Sequence, residues 1–113
     1  LTGNGKAIRD FIWMGDVVEA ILELIVLKPE NDIYNISQEK ITSMLEVAEI
    51  VQKAYEEYSG ESIPIGVNKD DNSLPDTTLK VSSTKIKNRI NLSSNDRMKQ
   101  EAIKIFRFLE ANL

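Results

Sequence analysis

The chain has no cysteine and no histidine. The first absence excludes disulfides, thiolate nucleophiles and cysteine zinc sites. The second excludes imidazole metal ligands and any catalytic triad built on histidine. Positive charge is scarce as well: 14 lysines and arginines against 18 acidic residues leave a net charge of −4, with a pI near 4.9. Nucleic acid and anionic membranes need a basic face, so neither is expected as a partner. One cation in a shaped pocket can still hold a small anion, because short-range geometry outweighs net charge there. No hydrophobic run is long enough for a membrane span, since residues 17–27 are interrupted by Glu19 and Glu23. Leu1-Thr2-Gly3-Asn4-Gly5 is small and polar where a signal peptide needs an apolar core. A cytoplasmic location is the resulting expectation.

What the chain does have is ordinary for a soluble domain: 113 residues, 42% hydrophobic and 28% charged. Gly3-Asn4-Gly5 is turn chemistry and leads into an apolar stretch, Ala7 to Trp13, that suits a short strand. Asp16 is placed to cap the next helix by accepting free backbone N–H groups. Between Asp16 and Leu27 only Glu19 and Glu23 are polar, one turn apart on a narrow ridge. Nearly every other side of this helix needs covering, and Pro29 stops it.

Ile33-Tyr34-Asn35-Ile36 reads as a short buried strand. Ser43-Met44-Leu45-Glu46 fits a capping box and opens a one-sided amphipathic helix that Ser59-Gly60 ends. Ile63 to Val67 suggests an edge strand, because Pro64 cannot donate to a ladder. Thr77 to Val81 suggests another short strand. Ser83 is placed to cap a brief helix through Ile90. The last helix sets Met98, Ala102, Ile105, Phe106 and Leu109 on one face. Helices and strands alternate, which points to an α/β class, α+β for a fragment, with about four helices and several short strands. No linker divides the chain, so 1–113 reads as one unit.

This ordered series resembles the carboxy-terminal third of the extended short-chain dehydrogenase/reductase family, the NAD-dependent nucleotide-sugar epimerases and dehydratases. The resemblance rests on Gly3-x-Gly5 before Arg9-Asp10-Phe11-Ile12 and on Asp16-Val17-Val18-x-Ala20-Ile21. It continues through Ile33-Tyr34-Asn35-Ile36, the capped helix from Ser43, Leu74-Pro75-Asp76 and Val81-Ser82-Ser83-Thr84-Lys85. It implies a substrate lobe plus the last helix and strand of a nucleotide-binding sheet. It also implies an amino-terminal nucleotide-binding domain beyond this chain, with NAD as cofactor of the full-length parent and none in this chain. The oily helix supports that expectation. Four large apolar side chains left in water forfeit roughly 6–12 kcal/mol, at about 1.5–3 each, against about 5–15 for a whole domain. Self-association, a rearranged helix or a missing covering segment is therefore expected.

No catalytic residue is expected here. Tyr34, Tyr55 and Tyr58 are followed four places on by Gln38, Ser59 and Ser62, so none has the lysine that would lower a phenol's pKa. Gly3-x-Gly5 lacks a third glycine and precedes a strand instead of opening a helix. The isolated chain is thus expected to be inactive, and to serve by holding a nucleoside-diphosphate sugar. By resemblance Arg9 contacts the diphosphate, a role that suits a permanently charged planar fork; the structural alternative is an ion pair with Asp10. Lys69 is the second phosphate contact that the resemblance suggests, and Ser73 the residue facing the sugar-nucleotide. Asp70 and Asp71 set against a diphosphate would repel it. No metal site is expected. The alternative function is a non-catalytic interaction or dimerisation module that uses the apolar helix 16–27.

Overall fold

The computed structural model describes residues 1–27, 31–75 and 80–113. Pro29, and Thr77 to Leu79 of one expected strand, lie outside the described residues. Among those described the chain is a mixed α/β fold of four helices and one two-stranded antiparallel sheet. In order the elements are β1 (Ile8–Asp10), α1 (Met14–Val26), β2 (Ile41–Ser43), α2 (Met44–Ser59), α3 (Thr84–Lys87) and α4 (Met98–Asn112). They form two compact units. The first comprises Leu1–Arg9, Thr42–Thr77 and Arg97–Leu113; the second comprises Asp10–Ile41 and Thr78–Asp96. Both are assembled from separate stretches of chain, so no single linker divides them.

In the first unit α2 begins and ends as its local sequence requires. Ser43 Oγ accepts from Glu46 N at 3.2 Å while Glu46 Oε2 accepts from Ser43 N at 2.7 Å. Two amide groups that a helix start leaves bare are thereby satisfied. At the other end Gly60 adopts the left-handed conformation (φ 77°), and its N–H closes the last turn on Glu56 O at 2.8 Å. Buried Ala54 of α2 and Ala102 of α4 belong to the apolar core. Tyr55 meets the Phe106 ring edge-on at 5.4 Å, and Tyr58 lies 5.9 Å from the same ring. The expected buried face of α4 holds for Met98, Ala102 and Phe106, whereas Ile105 and Leu109 are exposed.

The second unit has a small core of Ala20, Ile86 and Ile90, against which Leu24, Tyr34, Ile36 and Leu92 pack. Only one edge of α1 enters it. Met14, Val18, Ile21, Leu22, Ile25 and Val26 form an apolar stripe facing solvent, with Leu22 58%, Ile25 63% and Val26 80% exposed. The uncovered flanks expected from the sequence are therefore present.

Three local expectations are corrected. Asp16 does not cap α1: the helix starts a residue after Trp13, with no side-chain cap. The Asp16 carboxylate is instead fully buried and accepts from Asn95 N at 2.8 Å and from Asn95 Nδ2. A buried polar group needs such hydrogen-bond donors more than the helix needs a cap. Among the described residues Ile33–Ile36 and Ile63–Val67 are not strands. A strand exists only with a ladder partner, and no described segment supplies one. Ser83 precedes α3 without a side-chain cap. Its hydroxyl is buried, donating to Ser37 O at 2.9 Å and accepting from Ser37 N at 2.8 Å.

Candidate functional site

The first unit contains a recess of about 400 Å³ whose lining includes Gly3, Asn4, Gly5, Arg9, Asp71 and Ser73. The glycine turn shapes one wall. Gly5 has φ +78°, and a Cβ there would sit 3.0 Å from Leu45 Cβ, so the position suits glycine on both counts. Leu45 N donates to Gly5 O at 2.9 Å and Met44 N to Ala7 O at 2.8 Å, which fixes the segment against the start of α2.

Asn4 joins this wall to the facing loop. Its side-chain NH₂ donates to Asp71 O and to Ser73 O, both at 2.8 Å, and its Oδ1 accepts from Lys6 N at 3.0 Å. Asn68 N adds a bond to Gly3 O at 3.0 Å. Sequence reasoning missed Asn4; its place between two glycines was the only local signal.

The structure brings Arg9 and Ser73 to the same recess. Arg9 is exposed on β1, and Nη1 donates to Ile8 O at 2.7 Å. Among the described residues it makes no ion pair. The alternative partner, Asp10, accepts from Ser37 Oγ and from Gln38 N. Ser73 is at the rim, with its hydroxyl and its N–H both donating to Asp71 Oδ1. Lys69 is exposed in the adjoining turn and does not line the recess.

Asp71 is the unexpected occupant of the lining. Its Oδ2 accepts from Asn4 N at 3.1 Å. The Ser73 hydroxyl, with backbone donors from Ser73 and Asn4, holds its carboxyl below the usual carboxylate range. It therefore stays ionised at neutral pH. The recess thus combines a guanidinium that makes no ion pair among the described residues with one fixed carboxylate, a pattern suited to binding and orienting a polar ligand.

Two other cations are committed to carboxylates. Lys85 pairs with Asp32 at 2.6 Å and lies 5.2 Å from the Tyr34 ring centre; Lys87 pairs with Glu39 at 2.5 Å. Among the described residues no group of three or more acidic side chains could hold a metal, and no helix is long and apolar enough to cross a membrane. Gly3-x-Gly5 runs into β1, and a Cβ on Gly3 would lie 2.9 Å from Asp71 Oδ2, so the turn backs onto a carboxylate.

No family model and no curated protein matches the sequence. Solved structures do match the fold. The chain is similar to RMD from Pseudomonas aeruginosa complexed with NADPH (TM-score 0.72, 17% identity, 99% of this chain and 35% of that one). It is similar to a mutant UDP-glucuronic acid 4-epimerase from Bacillus cereus, in complex with UDP-4-deoxy-4-fluoro-glucuronic acid and NAD (0.67, 16%, 100% and 35%). It is similar too to UDP-glucose 4-epimerase from Thermotoga maritima with UDP-glucose (0.62, 20%, 100% and 35%). The fold of this chain is thus shared with these three structures, two of them UDP-sugar 4-epimerases and two of them complexes with NAD or NADPH. The chain spans about a third of the length of the structures it matches.

Proposed function

We propose that this chain is the carboxy-terminal, substrate-holding portion of an NAD-dependent nucleotide-sugar epimerase or dehydratase. The observation that carries the proposal is Arg9 lining a recess without a carboxylate partner among the described residues, within a fold shared with such enzymes. Arg9 holds the ligand's diphosphate by charge-assisted hydrogen bonds. Ser73 shapes the facing rim, and Lys69 reaches the phosphates from the adjoining turn through its long side chain. NAD belongs to polypeptide outside these 113 residues, so this chain's share of the reaction is positional and it is inactive alone. The exposed stripe of α1 is the surface that such polypeptide covers, and in its absence the chain self-associates.

Calorimetric titration with uridine diphosphate tests this reading. The wild-type chain binds, and Arg9→Ala weakens binding by about 10–100-fold, the loss of a hydrogen-bonded charge worth roughly 1.5–3 kcal/mol. Equal affinity in the two proteins contradicts it. The stripe on α1 also favours a second reading, a docking or dimerisation module. Under that reading the chain oligomerises and is indifferent both to the nucleotide and to Arg9.

A further inference from the structure

The recess contains a negative charge that binding a diphosphate alone does not call for. The Asp71 carboxylate is fixed by three donors, Ser73 N at 2.9 Å, Ser73 Oγ, and Asn4 N at 3.1 Å. Asn4 also anchors the backbone on either side of it through Asp71 O and Ser73 O. Gly3 closes in behind, where a Cβ would crowd Asp71 Oδ2 at 2.9 Å. A group held this way cannot swing aside when a ligand enters. An ionised carboxylate has about four acceptor sites and no donor, so these bonds leave about one site open. Phosphate oxygens placed against it are repelled and hydroxyl donors are accepted.

We propose that Asp71 is a specificity-determining residue of the recess: it confines the ligand's anionic group to Arg9 and requires a neutral, hydroxyl-bearing part beside itself. The inference rests on the reading of the recess as a substrate site and deepens it. The ligand class it selects is a sugar or nucleoside joined to phosphate. Free pyrophosphate, which presents anionic oxygens in every direction, is rejected. Asn4 acts through Asp71 as a positioning residue.

The test compares uridine diphosphate with inorganic pyrophosphate on the wild-type chain, Asp71→Asn and Asp71→Ser, with thermal midpoints measured in parallel. The wild type prefers uridine diphosphate by at least tenfold. Removing the charge tightens pyrophosphate binding several-fold and weakens uridine diphosphate, so the preference collapses in both variants. A preference unchanged in folded Asp71→Asn and Asp71→Ser overturns the inference while leaving the substrate site intact. Failure of the wild type to bind either compound overturns the substrate-site reading and this inference with it.

Discussion

Ile86→Ala is expected to unfold the second unit. Ile86 is fully buried, and among the described residues its neighbours in the core are Ala20 and Ile90, with a partial ring of Leu24, Tyr34, Ile36 and Leu92. Truncating a buried isoleucine to alanine costs about 2–5 kcal/mol through lost transfer energy and the cavity left behind. A domain of ordinary stability has about 5–15 kcal/mol in total, and a core this small has few side chains that can collapse into the gap. In the first unit the contact of α2 with α4 is built from other residues, among them Ala54, Tyr55, Ala102 and Phe106. Hydrogen exchange should therefore show lost protection at Ala20 and Ile90 while α2 amides stay protected. Retained protection at Ala20 and Ile90 would show that Ile86 is not the keystone of that core.

The second large effect concerns α1, which lends Ala20 to that core, from its outer side. Leu22→Glu with Ile25→Glu should convert a self-associating chain into a monomer with almost no loss of fold. Both side chains are more than half exposed, so their removal creates no cavity, and substitutions at such positions usually change stability by less than about 0.5 kcal/mol. They sit in the middle of the α1 stripe, and two new charges there oppose burial against any apolar partner. Light scattering checks the expectation. The wild-type mass should rise with concentration above 12.8 kDa, and the double variant should hold that value throughout. If the two chains behave alike, the stripe is not a contact surface.

How far the sequence announced this structure depends on the range of the interactions involved. The capping box at Ser43 and Glu46 and the glycine stop at Gly60 were legible because each is settled within four residues. The exposed stripe of α1 was legible from composition, since a helix with two polar residues in the eleven from Val17 to Leu27 cannot be covered by so small a chain. Ile33–Ile36 has the composition of a strand, but pairing depends on a partner that composition does not reveal. The jobs of Asp16 and Asn4 were hidden because their partners, Asn95 and Asp71, lie 79 and 67 residues away. Glu39 shows the same limit. Its left-handed backbone (φ 57°) is unusual for a non-glycine residue, and it is held by Ser83 N at 2.7 Å and Lys87 Nζ at 2.5 Å. Of the three residues expected at the site, Arg9 and Ser73 line the recess and Lys69 does not. The carboxylate that shares the lining with them came from Asp71, which the sequence suggested only as a source of repulsion.

The claim that matters most is that the recess beside Arg9 is where this chain holds a sugar-nucleotide. Backbone amide chemical shifts recorded during a uridine diphosphate titration locate the ligand directly. The account predicts saturable shifts concentrated at Gly3 to Arg9 and Asp71 to Leu74, absent in Arg9→Ala. Shifts confined to α1, or none at all in a folded chain, would contradict it.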